Sequence, residues 1–278
     1  MVYVPQTAFI LQLIHIPQYL EEFRLSFELQ PLDSMVNHRA VPVQGVYEEW
    51  MRIPQYPQVL VDRGLADFLH RHRTITHLDL GIVSEVFITN PRLCKPFPST
   101  ALPSLKIMRV HISFLPYMIS TSTSLPALEE VELHITHREV QSTWGGADIP
   151  HDRDLYRAGM AALSRHGGRI QSLQISLFAR VVSMAQFSDL FTLQGITLPG
   201  IEKFTIAAVE IDAAAKLTEM IAWVGRVLPD ATELCIVKTK NWSRHRKRSF
   251  VSGVTQECPS IKKIGIDAEA KPVQDWLG

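Results

Sequence analysis

The sequence is short of several things, and each shortage closes off a reading. Cysteine occurs three times in 278 residues, at Cys94, Cys235 and Cys258. These positions form neither a CxxC pair nor a secreted-type disulfide framework. The chain therefore reads as the product of a reducing, intracellular compartment, cytoplasmic or nuclear. Net charge is also missing, because 28 Lys and Arg balance 28 Asp and Glu. A surface built throughout for nucleic acid or acidic lipid is not expected, although a local patch is compatible with that balance. Gly and Pro, at 14 and 17, sit near average usage, which excludes collagen-like and low-complexity chains.

Long apolar runs are lacking too. Met1–Leu20 has no charged residue, but it has no positive leading region and is broken by Gln12, His15 and Pro17. It does not read as a signal peptide. His111–Leu128 is uncharged but rich in Ser, Thr and Pro, so no spanning helix and no membrane partner are expected. Asn241-Trp242-Ser243 has the form of a glycosylation acceptor, which matters only in a secretory lumen.

What is present is a repeat. One pattern recurs: apolar, two variable, apolar, one variable, apolar. Its copies begin at Leu20, Ile75, Leu105, Leu128, Ile170, Ile201, Ala231 and Ile261, at intervals of 55, 30, 23, 42, 31, 30 and 30. Five are preceded, two residues earlier, by Pro103, Pro126, Pro199, Pro229 or Pro259. Proline fixes φ and lacks a donor, which suits the start of a strand after a helix ends. The last two apolar positions alternate with period two, so each copy predicts a strand.

Helix-like apolar spacing fills the gaps. It is carried by Leu65, Phe68 and Leu69; by Leu155, Met160 and Leu163; and by Phe187, Leu190 and Phe191. It returns in Leu217, Ile221, Val224 and Leu228, then in Phe250, Val254 and Cys258. A strand and a helix every 30 residues or so is a βα unit that cannot bury its apolar face alone, so neighbours must stack. The expectation is an α/β solenoid over residues 1–278, with a curved parallel sheet inside and helices outside. Leu78, Leu133, Leu173, Phe204 and Ile264 are expected in its core.

The phrases FLHRHRTITHLDL, LPSLKIMRV, LPALEEVEL and CPSIKKIGI carry a resemblance to leucine-rich repeats. They are most similar to the irregular repeats of fungal F-box/LRR-like proteins. The usual repeat Asn is replaced by Val83, Val209 and Thr239. The F-box, a helical module of some 45 residues in that family, is not found among the 19 residues before the first copy. The chain resembles the repeat portion of something longer, and neither end reads as a polar capping repeat. The resemblance implies the substrate-recognition arm of a cullin-type ubiquitin ligase receptor. A cullin-ligase adaptor becomes a partner only if an F-box stands upstream.

The repeat also places the variable positions. One row should hold Glu22, His77, Ile107, Glu130, Ser172, Lys203, Glu233 and Lys263. The next should hold Arg24, Asp79, Arg109, Glu132, Gln174, Thr205, Cys235 and Gly265. Adjacent strands lie about 4.8 Å apart, so these rows run across the sheet. They are either a partner-binding face or ordinary solvated strand positions. The long intervals mark inserted loops at about 30–58, 136–154 and 237–248. The second contains Trp144, a candidate contact residue.

The third loop holds Lys238, Lys240, Trp242, Arg244, Arg246, Lys247 and Arg248 with no acid until after Gln256. Basic side chains oppose the dipole at a helix start, so the following helix is expected to begin near Ser249. The run reads as a nuclear-localisation signal, a phosphate-binding patch or a plain solvated loop. His70, His72, His77, His134 and His137 lack zinc-ligand spacing, and Asp148, Asp152 and Asp154 lack the EF-hand pattern. GxSxG, P-loop and GxGxxG signatures are missing, so no catalytic residue, metal or cofactor is assigned. The sequence reads as a non-catalytic protein–protein interaction module. The alternative is a nucleic-acid-associated or nuclear binding protein using residues 238–248.

Overall fold

Every copy of the six-residue pattern becomes a strand. In the computed structural model these are β1 (Glu22–Arg24), β2 (His77–Asp79), β3 (Ile107–His111) and β4 (Glu130–Ile135), followed by β5 (Ser172–Leu177), β6 (Lys203–Ala208), β7 (Glu233–Val237) and β8 (Lys263–Ile266). The structure describes residues 22–24, 69–80, 101–135, 152–166, 169–177, 190–208, 214–237, 242–267 and 269–277. The expected loop at 30–58, together with Cys94, Trp144, Lys238 and Lys240, lies outside the described residues. The eight strands are parallel and stand in chain order. A ninth, β9 (Glu269–Pro272), joins antiparallel to β8, so the protein is α/β with one open, mostly parallel sheet.

One backbone unit starts the strands. Leu105, Leu128, Ala231 and Ile261 each donate an N–H to the carbonyl three residues back, at 3.0–3.3 Å. That closes a tight turn with Pro103, Pro126, Pro229 or Pro259 in its second position, where a fixed φ is pre-set for the turn. The next strand is then caught twice. Lys106 and Ile107 both donate to Thr76 O, Glu129 and Glu130 to Lys106 O, and Gln171 and Ser172 to Glu129 O. The same forked bond recurs at Gln171, Glu202 and Thr232 carbonyls. The residue before each proline is buried as well: Leu102, Leu125, Leu198, Leu228 and Cys258. The structural repeat is therefore three residues longer than the sequence pattern.

The core lies on one face of the sheet. Leu78, Met108, Val131, Leu173, Phe204, Leu234 and Ile264 are paired neighbours across the strands and are all buried, as is Leu133. The helices feed the same cluster. A 3-10 turn (Ile112–Phe114) and α1 (Leu115–Met118) pack on α2 (Asp152–Arg165), which buries Met160 and Leu163. Helix α3 (Ala214–Val227) buries Leu217, Ile221, Trp223 and Val224 and packs on α4 (Arg244–Glu257), which buries Phe250, Val251 and Val254. Gly225 lets the two helices touch. A Cβ there would stand 2.6 Å from the Glu257 carbonyl oxygen. Trp223 meets Phe191 edge-on at 5.4 Å and Phe204 at 5.8 Å, which ties α3 to the sheet.

Three expectations need correction. Helix α2 begins at Asp152, inside the segment read as loop to residue 154. Acidic Asp154, in the first turn, suits the positive end of a helix. Helix α4 begins at Arg244 rather than near Ser249. Ser243 caps it, its hydroxyl accepting from Arg246 N–H at 3.2 Å. A cap stabilises by about 1 kcal/mol, while each misplaced charge costs only about 0.3–1 kcal/mol. Burial of Phe250, Val251 and Val254 then decides the balance.

The third correction concerns the C-terminal end, which does cover the last parallel strand. Strand β9 pairs with β8, and α5 (Val273–Leu277) packs on α4. Trp276 donates its indole N–H to Ile264 O at 2.9 Å, and Lys271 lies over that ring at 5.4 Å. Among the described residues no helix is long and apolar enough to cross a membrane.

Candidate functional site

The second face of the sheet carries the candidate site. Both expected rows form with the expected neighbours. Glu22, His77, Ile107, Glu130, Ser172, Lys203, Glu233 and Lys263 are successive partners, as are Arg24, Asp79, Arg109, Glu132, Gln174, Thr205, Cys235 and Gly265. His77, Glu130, Lys203 and Lys263 are exposed, and most others in the two rows are half-buried. A parallel sheet is ordinarily covered on both faces, so a polar face that leaves His77, Glu130, Lys203 and Lys263 exposed is a departure that asks for a reason.

In the first half the second row is a linked polar chain. Arg109 bridges Asp79 at 3.7 Å and Glu132 at 3.1 Å. Glu132 is the hub. One of its oxygens accepts from Ser176 Oγ at 2.8 Å and from Gln174 Nε2 at 2.9 Å, with His134 Nε2 at 3.5 Å. Gln174 also donates to Ser176 at 3.0 Å. Burial pushes the Glu132 carboxyl upward, but hydrogen bonds from His134 and Ser176, with the charges of His134 and Arg109, outweigh it and hold it below the ordinary carboxylate value. The arrangement fixes a negative charge and the side chains around it. It is a rigid, pre-organised surface rather than a set of free arms.

The second half is built differently. Lys203 and Glu233 pair at 3.4 Å, and Cys235 donates weakly to Glu233 at 3.5 Å. Burial, then the Glu233 charge, pushes the Cys235 thiol upward, so it stays protonated at neutral pH. Gly265 leaves room for that sulfur, because a Cβ there would come within 2.5 Å of it. Cys258 is buried and its thiol is pushed up to about 11, chiefly by burial.

A third row went unread in the sequence. His111, His134, Ser176, Ala207 and Val237 are successive partners at the C-terminal ends of the strands. The first four are at most 9% exposed. The signal was available: each follows the last apolar position of its copy, and three of the five are polar. Among the described residues no three His, Cys, Asp or Glu side chains gather as metal ligands would.

The basic run is split by the structure. Trp242 is 9% exposed, stacked edge-on against Phe250 at 5.5 Å and covered by Arg246 at 4.7 Å. It anchors the start of α4 and is not a free contact residue. Arg244 and Arg248 are exposed and lie one turn apart, with Lys247 half-buried beside them. For Glu22 and Arg24 only the strand backbone is described. No protein-family model, curated protein or solved structure matches this chain.

Proposed function

We propose that the chain is a non-catalytic protein-recognition module, a leucine-rich-repeat-type solenoid whose polar sheet face receives its partner. The observation that carries this reading is the register-locked polar face of the described strands, with His77, Glu130, Lys203 and Lys263 exposed on it. Seven successive parallel pairings in chain order support the solenoid, as does a turn-and-strand unit repeated at about 30-residue steps. On this reading the chain acts as the target-binding arm of an F-box-type ligase receptor. The adaptor of the ligase is a partner only if an F-box exists upstream.

The test is site-resolved photocrosslinking in cells. A photoreactive residue replaces Thr205 on the sheet face or Ser252 on the outer side of α4. Discrete protein adducts from position 205, absent from position 252, are expected. Adducts from the helix alone, or from neither position, would overturn the reading.

A second reading keeps one observation of its own. Arg244, His245 and Arg248 are exposed around the first turns of α4, where the helix dipole adds positive potential. They make a preset patch for a polyanion in a nucleic-acid-associated protein. Binding to nucleic acid that falls steeply with salt, and falls further in an Arg244→Gln, Arg248→Gln variant, would favour it.

A further inference from the structure

The recognition face is not uniform, and its differences say what it fits. In the first row one apolar side chain, Ile107, stands half-buried between His77 and Glu130. Beside it Glu129 and Glu130 are exposed at the N-terminal rim of β4, and neither makes an ion pair among the described residues. Lys106 lies next to Glu129 on that rim and leaves the pair of acids with net negative charge. Glu132, on the same strand, is different, since its carboxylate is held by Arg109, Ser176 and Gln174.

We infer that the partner segment carries a Lys or Arg beside an apolar side chain and seats on β3 and β4 around Ile107, Glu129 and Glu130. The inference rests on the recognition reading above. The apolar side chain supplies a desolvated anchor on Ile107, and the cation supplies specificity and faster encounter. Toward the centre of the face the charges of Asp79, Arg109 and Glu132 are already paired with one another, so the rim acids Glu129 and Glu130 are the ones left to hold a partner's cation. An acidic segment would meet the net negative charge of that rim. The opposite end of the face, at Lys262 and Lys263, has the reverse sign and serves as an internal control.

The experiment selects random displayed peptides on the full chain and measures the winners by fluorescence polarisation. Binding is compared for the native chain, an Ile107→Thr variant, a Glu129→Lys, Glu130→Lys variant and a Lys262→Glu, Lys263→Glu variant, each checked for unchanged thermal unfolding. The expected winners pair an apolar residue with Lys or Arg. They should lose roughly tenfold or more in affinity on the acid-reversed variant, and also on Ile107→Thr, and keep native affinity on the lysine-reversed one. Acidic winners, or winners lost only on the lysine-reversed variant, would overturn the inference and leave the recognition face standing. A selection yielding no peptide sensitive to any of these positions would overturn both.

Discussion

The two halves of the sheet solve the same stacking problem with different means. From Ser172 onward the strands start 31, 30 and 30 residues apart, at Lys203, Glu233 and Lys263. Helices of 14 residues, α3 and α4, cover the last two steps on the core side. Before Ser172 the intervals run 55, 30, 23 and 42, and the polar rows are tied by ions and hydrogen bonds that start at Asp79 and end at Gln174 and Ser176 on β5, the strand where the two halves meet. The regular half is held by apolar packing and close helix contact. The irregular half adds a polar clasp centred on Glu132. The difference teaches that regular spacing and polar linkage need not coincide. The half with the less regular sequence carries the more closely linked polar surface.

The largest effect should come from the regular core. Phe204→Ala, fully buried against Trp223, is expected to cost about 3–5 kcal/mol in denaturant unfolding. Leu173→Ala should cost about 2–5 kcal/mol. A loss under about half a kcal/mol at Leu173 would mean that the strand register is wrong. Gly225→Ala should cost about 1–3 kcal/mol, since the new Cβ would stand 2.6 Å from a backbone carbonyl oxygen and force the two helices apart.

The clasp separates the halves more sharply. Glu132→Ala removes the acceptor of two hydrogen bonds and the partner of Arg109, so about 1–3 kcal/mol should be lost. Glu233→Ala breaks the Lys203 pair, whose lysine is half exposed, and the weak Cys235 bond, and about 0–1 kcal/mol is expected. Equal losses at the two positions would remove the distinction.

Acid should find the same boundary. The Glu132 value is depressed in the fold, so its contribution is full above the unfolded carboxylate value of about 4.3 and disappears as pH falls through the folded value. His166, behind the first half, is held below its ordinary value mainly by burial, then by Arg169, although bonds to the Leu125 and Ser124 backbone oppose this. Its Nε2–H donates to Leu125 O at 3.1 Å, while Nδ1 is buried with no acceptor for a second proton. A histidine of that kind stabilises above about pH 6.5 and loses its contribution as pH falls toward the folded value. Both signs agree. As pH falls from neutral, first past the His166 range and then below about 4.3 into the Glu132 range, hydrogen exchange should rise in residues 107–135 before it rises in 214–266. The reverse order would contradict the assignment of the clasp. The smallest effect is at the corrected helix start, where Ser243→Ala should cost about 1 kcal/mol.

Much of this was legible in the sequence. The apolar positions gave the strands, and their two intervening positions gave the polar rows with every neighbour in place. The reason is physical, because period-two alternation leaves no choice of face once Leu78 or Leu173 is buried. The turn was half seen. Pro103 and Pro126 marked the right place, but the buried Leu102 and Leu125 before them were not read as part of the unit. The dipole alone puts the start of α4 near Ser249, whereas the Ser243 cap and the Trp242–Phe250 contact place it at Arg244. The Glu132 clasp escaped because it joins residues 109, 132, 134, 174 and 176, and only stacking of β3, β4 and β5 makes them neighbours.

The central claim is that the polar rows run across the sheet strand by strand in one register. Its most direct test is thiol cross-linking with a short fluorogenic reagent. Glu130→Cys with Ser172→Cys places two thiols on adjacent strands, about 5 Å apart at the backbone, whereas Glu130→Cys with Lys203→Cys places them two strands apart, at about 10 Å. The account predicts rapid bridging of the first pair and none of the second. Equal bridging of both, or bridging of the second alone, would contradict it.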